Sequence, residues 1–182
     1  MTHTTDPQRG RSSTRPGDLG VPFRLPLLIL GFAALASGVL AGLARLGWNV
    51  PLPASGLLLL HGPLMVSGFL GTVIGLERAV AMGRRWAYSA PLCSGLGGLA
   101  LLAGLPQVFG AAALALGSGI LLLATTRLLL RQRTLFMLTM AAGAFSWLAG
   151  NLFWLAGAPV ADVVALWIDF LVLTIAGERL EL

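Results

Sequence analysis

Six apolar blocks dominate this chain of 182 residues. Each has about the length a helix needs to cross ~30 Å of hydrocarbon at 1.5 Å per residue. They lie at roughly 25–45, 54–80, 87–104, 107–130, 134–157 and 160–180. Backbone in lipid must satisfy its own N–H and C=O groups, which leaves only helices or a closed barrel. No segment shows the alternation of a membrane barrel strand. The fold class is therefore all-α: a polytopic transmembrane bundle of six helices over residues 25–182. The third block is the shortest and is rich in glycine. Connections such as "GLPQVFG" and "AGAPV" are tight, so successive helices run antiparallel as neighbours.

Residues 1–24 are polar and rich in Arg, Thr, Pro and Gly, and cannot bury enough apolar surface to fold alone. They read as a disordered cytoplasmic tail. The first apolar block starts too late and runs too long for a signal peptide and reads as a retained helix.

All twelve basic residues are arginines, and their positions give a topology. Arg9, Arg11, Arg15 and Arg24 precede the first helix. Arg78, Arg84 and Arg85 follow the second; Arg127, Arg131 and Arg133 follow the apolar part of the fourth; Arg179 closes the sixth. All fall on one side if both termini are cytoplasmic, as the preference for positive cytoplasmic loops requires. Arg45 alone falls on the other side, where it can snorkel to the interface beside Trp48. This distribution explains the net charge of +5 as a membrane signal and gives no reason to invoke nucleic acid. The lone Cys93 excludes a disulfide framework and a cysteine-based metal site.

An ionisable group inside the membrane costs ~3 kcal/mol at the bilayer centre, so each one present needs a reason. His61 lies in "LLLLHGPLMVSGFLGTVIGLERAV", roughly 10 Å below the outer edge of its helix. Pro63 removes a backbone donor beside it and predicts a kink. Met65, Gly68 and Thr72 follow on the same face. That face offers a nitrogen ligand, a thioether and a small-residue strip against which a flat cofactor could lie. His61 is thus a candidate metal or haem ligand; the alternatives are a core histidine bonded to a neighbouring helix and a proton relay. Asp169 lies roughly 13 Å into the sixth helix, near the midplane, where it must be protonated or paired. The expectation is that helices 2 and 6 are neighbours and that Asp169 faces His61, directly or through one water. Bonding of Asp169 to Ser or Thr hydroxyls elsewhere is the alternative. Trp147, Asn151 and Trp154 share one face of the fifth helix, so Asn151 either bonds across to a neighbour or lines a cavity with His61. Glu77-Arg78 and Glu178-Arg179 end helices of the same direction, and adjacent residues point about 100° apart. The expectation is exchanged salt bridges between helices 2 and 6, with a cytoplasmic gate or proton entry point as the alternative.

The run "HGPLM" followed by "SGF" resembles the H-G-x-x-M stretch in the second membrane helix of the main subunit of haem-copper oxidases, where the histidine is an axial haem ligand. "HGPLMVSGFLGTVIGLERAVAMG" is also similar to the NnrS family of bacterial membrane proteins. That resemblance implies an inner-membrane location, haem binding and a part in the response to nitric oxide or other nitrogen oxides. It makes His61 the axial ligand; the helix faces and depths read above make Met65, Gly68, Asp169 and Asn151 the candidates around the cofactor. With only His3 and His61 in the chain, an oxidase or reductase centre is not expected. A dimer or a partner membrane subunit would supply further ligands, and the chain reads as the first half of a longer architecture. A structural or assembly subunit, and a small proton-coupled transporter using Asp169 and His61, are the other readings.

Overall fold

The computed structural model describes residues 19–50 and 55–181. Within these the chain is helical without strands, and six passes are built from α1 (Val21–Arg45), a composite second span, α3 (Ser89–Leu102), α4 (Gln107–Gln132), α5 (Leu135–Leu155) and α6 (Val160–Glu181). Five of the passes are long and apolar enough to cross a membrane. The exception is α3, whose 14 residues are preceded by a 3-10 turn, Arg85–Tyr88. The two together reach about 29 Å, because a 3-10 turn rises about 2 Å per residue. The expected tail at 1–24 falls mostly outside the described residues. Its boundary moves, however, since α1 begins at Val21. Pro22 sits in the first turn, where its fixed φ suits the helix and its missing N–H has no intrahelical partner to lose. Arg24 Nε donates to Leu19 O at 2.7 Å, within that turn.

The second span is not one uniform helix. A 3-10 segment, Ser55–Leu60, leads into π-helix over Pro63–Leu70 and then α2 (Gly71–Met82). Pro63 has no N–H to give and its ring crowds the carbonyl four residues back. The chain tightens before it and widens after it, so that Gly71 N–H bonds Val66 O, five residues back.

Small residues bring the helices together, the usual means of close packing in lipid. Along α1, Gly31, Ala34, Gly38 and Ala41 are buried against the second span and α3. On α5, Gly150 and Gly143 lie against Trp167 and Leu173 of α6, and Gly177 of α6 lies against Met140. The core between these layers holds Leu64, Leu114, Trp147, Trp167 and Phe170, with Trp147 stacked on Phe170 at 4.7 Å between ring centroids.

The arginine-rich ends meet at one end of the bundle. Leu27 from the start of α1 shares a cluster with Leu76 and Ala79 from the end of α2 and with Ala87 and Tyr88. Arg127 near the end of α4 lies over Trp86. Arg78 bonds Glu178 of α6 at 2.9 Å, the exchanged pair expected between helices 2 and 6. Glu77 stays on the rim, 57% exposed and 3.7 Å from Arg78.

Candidate functional site

His61 lies between the 3-10 and π segments, where the strain imposed by Pro63 is absorbed. Its ring rests on α1, and only glycine permits this: a β-carbon at Gly42 would stand 2.8 Å from both Cε1 and Nδ1. From there Nδ1 reaches Gly38 O at 2.8 Å. A carbonyl oxygen only accepts, so Nδ1 carries the proton. In the neutral ring Nε2 then holds a free lone pair. A backbone carbonyl holding one ring nitrogen is a common way of fixing a histidine that binds through the other.

The imidazole borders a cavity of about 640 Å³ between α1 and the N-terminal end of α6. Its walls are apolar, with Val39 and Leu43 from α1 and Val160 and Val164 from α6, and Arg45 stands at its rim. The cavity exists because α1 and α6 make no substantial contact with each other. At this end Gly62 brings the second span up to α6; a β-carbon there would lie 3.3 Å from Val160 Cγ1 and 3.6 Å from Trp167 Cζ3.

Helices 2 and 6 are therefore neighbours as expected, but Asp169 does not face His61. The buried stripe of α6 runs through Val163, Trp167, Phe170 and Thr174. At 100° per residue Asp169 points about 130° away from it, and about as far from the Val160–Val164 side that walls the cavity. Its side chain is exposed on the outer surface of the bundle. The role expected of it, holding the second imidazole nitrogen, is filled by the Gly38 carbonyl. This separation removes the paired site that the transporter reading needed.

Met65 and Gly68 share the His61 face as expected, but that face is turned onto α1. A β-carbon at Gly38 would come within 2.9 Å of Met65 Sδ, so the thioether is spent on α1 packing. Gly68 is buried under Ala34 and Gly98, and Thr72 packs on Gly31 while donating to Gly68 O at 2.6 Å. The small-residue strip is covered by α1 and α3 and does not form a cofactor bed.

Asn151 belongs to a second polar constellation, in the core. Its Oδ1 accepts from Ser67 Oγ at 2.9 Å and from Trp167 Nε1 at 3.1 Å, and its Nδ2 donates to Leu114 O at 3.3 Å. Trp147 Nε1 donates to Ser67 Oγ at 3.0 Å. The network ties four passes together and is fully buried, so Asn151 takes the cross-helix role and does not line the His61 cavity. Sequence reading missed Ser67 and Trp167 here, and Gly38 and Gly42 at His61. The Gly38-xxx-Gly42 spacing was the one available signal for the latter pair.

Among the described residues, no three of His, Cys, Asp or Glu come together to hold a metal ion. What the site offers is one preoriented imidazole nitrogen on an apolar cavity with a cationic rim. The fold and this site define a polytopic α-helical membrane protein with a lateral, histidine-bearing groove. The chain belongs to the family described as "Domain of unknown function (DUF8744)", whose model matches residues 24–182. No curated protein and no solved structure matches it.

Proposed function

We propose that this chain is a haem-binding protein of a bacterial inner membrane, akin to the NnrS-like proteins, with its arginine-rich end cytoplasmic. The observation that carries the reading is the Nδ1–Gly38 O bond, which presents Nε2 of His61 at a lipid-side groove rimmed by Arg45. Three ligand properties fit that lining: an atom that accepts a lone pair, an apolar body, and an anionic edge. Haem has all three, whereas a neutral quinone lacks the charge and a phospholipid lacks the electron-pair acceptor. His61 would hold the iron through Nε2, Gly42 and Gly38 would fix the ring, and Arg45 would pair with a propionate. Bound haem would supply a site for a gas such as nitric oxide or for electron transfer. Since Met65 is engaged with α1, a further ligand to the iron would come from another copy or a partner membrane subunit. The chain is a binding protein and not an enzyme in this reading.

The test is a haem titration of the detergent-purified chain followed by absorption spectroscopy. A Soret band that is lost in His61→Gly and restored by added imidazole is expected, with weaker binding in Arg45→Gln. A wild-type protein that stays colourless overturns the reading and leaves the assembly-subunit alternative.

A further inference from the structure

The second cavity of the molecule lies at the opposite end of the bundle. Its making begins at Gly83, which closes α2 in the left-handed conformation at φ +62° and sends its N–H back to Ala79 O at 3.0 Å. A side chain would be strained there. The chain then passes through extended Arg84 into the 3-10 turn Arg85–Tyr88, which lays Trp86 against α4. The Arg127 guanidinium carbon sits 4.9 Å from the centroid of that indole. Arg131 follows one helical turn later on the same face. The three side chains Arg84, Arg127 and Arg131 surround a hollow of about 220 Å³, closed by Met82, Trp86 and Leu128.

Among the described residues, no carboxylate lines this hollow. Glu77 and Glu178, near this end of the bundle, are turned to Arg78. Three guanidinium groups around one cavity repel one another unless an anion sits between them. The volume is several times the ~30 Å³ share of a liquid water, enough for one phosphate group with some of its hydration. Arginine forks match phosphate oxygens in geometry, and stacking on an indole holds one fork in place. Basic pockets between helices at a membrane interface commonly take phospholipid head groups.

We propose that Arg84, Arg127 and Arg131, with Trp86, form a binding site for a phosphate group at the arginine-rich interface. The phosphate comes either from an anionic phospholipid, whose glycerol end meets Met82 and Leu128, or from a free anion. The site is independent of the His61 groove, which lies at the other end of the bundle.

The experiment is native mass spectrometry of the full detergent-solubilised chain with phosphatidylglycerol, phosphatidylcholine or inorganic phosphate. It compares wild type with R127Q/R131Q and with R85Q/R133Q, a pair that removes the same charge from exposed positions outside the cavity. Phosphatidylglycerol retention should fall roughly 30-fold in R127Q/R131Q, from the loss of two interfacial cations, and stay near wild type in R85Q/R133Q. Phosphatidylcholine should not be retained. If inorganic phosphate instead raises the thermal midpoint of wild type but not of R127Q/R131Q, while phosphatidylglycerol is not held, the site stands with a free anion as its ligand. Equal loss in both double variants, or no loss in either, would overturn the proposal.

Discussion

Replacing Asn151 by alanine removes the hub of the buried polar network, and its cost follows from the bonds it makes. Three hydrogen bonds converge on that side chain. Interhelical side-chain bonds in membrane proteins average ~0.6 kcal/mol each, which gives about 2 kcal/mol for the set. The larger consequence is what remains. Ser67 Oγ can rotate to another acceptor and still receives the Trp147 N–H, but the Trp167 indole N–H has no second acceptor and is buried. A stranded buried donor adds ~1–3 kcal/mol. Asn151→Ala should therefore lose about 3–5 kcal/mol. The assay is reversible unfolding in mixed micelles, followed by far-UV circular dichroism and by tryptophan fluorescence. A Ser67→Ala/Asn151→Ala cycle should show coupling of about 0.6 kcal/mol or more, since the two side chains share a direct bond. A loss below about 1 kcal/mol, or no coupling, would refute the reasoning, because the network would then be dispensable to packing.

Gly42→Val places side-chain atoms where the His61 ring lies, 2.8 Å from Cε1 and Nδ1 at the β-carbon alone. The ring should leave Gly38 O, so that ¹⁵N NMR shows loss of the Nδ1–H tautomer together with loss of haem uptake and about 1–3 kcal/mol of stability; an unchanged tautomer contradicts the geometry. Glu178→Gln should cost about 1 kcal/mol, as it weakens a charge-assisted bond of 2.9 Å to a mostly buried arginine, while Glu77→Gln should cost only a few tenths. Equal losses in the same unfolding assay would show that the cross-helix pair has no special weight.

The number of passes was legible because bilayer thickness, not tertiary context, sets the length of an apolar block. The composition of the second span was only half legible. Pro63 announces a disturbance, but a sequence does not say whether it is met by a bend, a tightening or a widening. Nor does the sequence show which neighbour covers the His61 face. His61, Met65, Gly68 and Thr72 stay in line and pack on Gly42, Gly38, Ala34 and Gly31 of α1, so a helix and not a cofactor lies along the strip. Asp169 was misplaced for a different reason. Residue counting gives a position along a helix, but rotation about the axis depends on which neighbour the helix packs against. The small residues of α5 and α6, Gly143, Gly150 and Gly177, set that rotation, and they leave the carboxylate outside. Trp147, Asn151 and Trp154 were placed correctly on one buried face because a regular α-helix over Leu135–Leu155 preserves the spacing.

The groove at His61 follows from how the end helices of the series are held. In the membrane-length windows of α1 and α6 only 28% of residues are buried, against 44–50% in the second span, α4 and α5. Each of the two end helices uses a small-residue seam to lie close along particular neighbours, α1 on the second span and α3, α6 chiefly on α5. Close packing of that kind fixes a helix firmly to one side and leaves its other side free, so the series does not close into a ring. The opening falls where the 3-10 and π segments meet, which is where the backbone of the second span can turn an imidazole toward α1. Val39 and Val164, 43% and 38% exposed, stand on the two lips, so the approach to His61 is from the side and through apolar surface. Arg45, the single arginine at this end among the described residues, stands at the rim of that same opening, where a ligand dissolved in the bilayer and carrying a negative edge would present it.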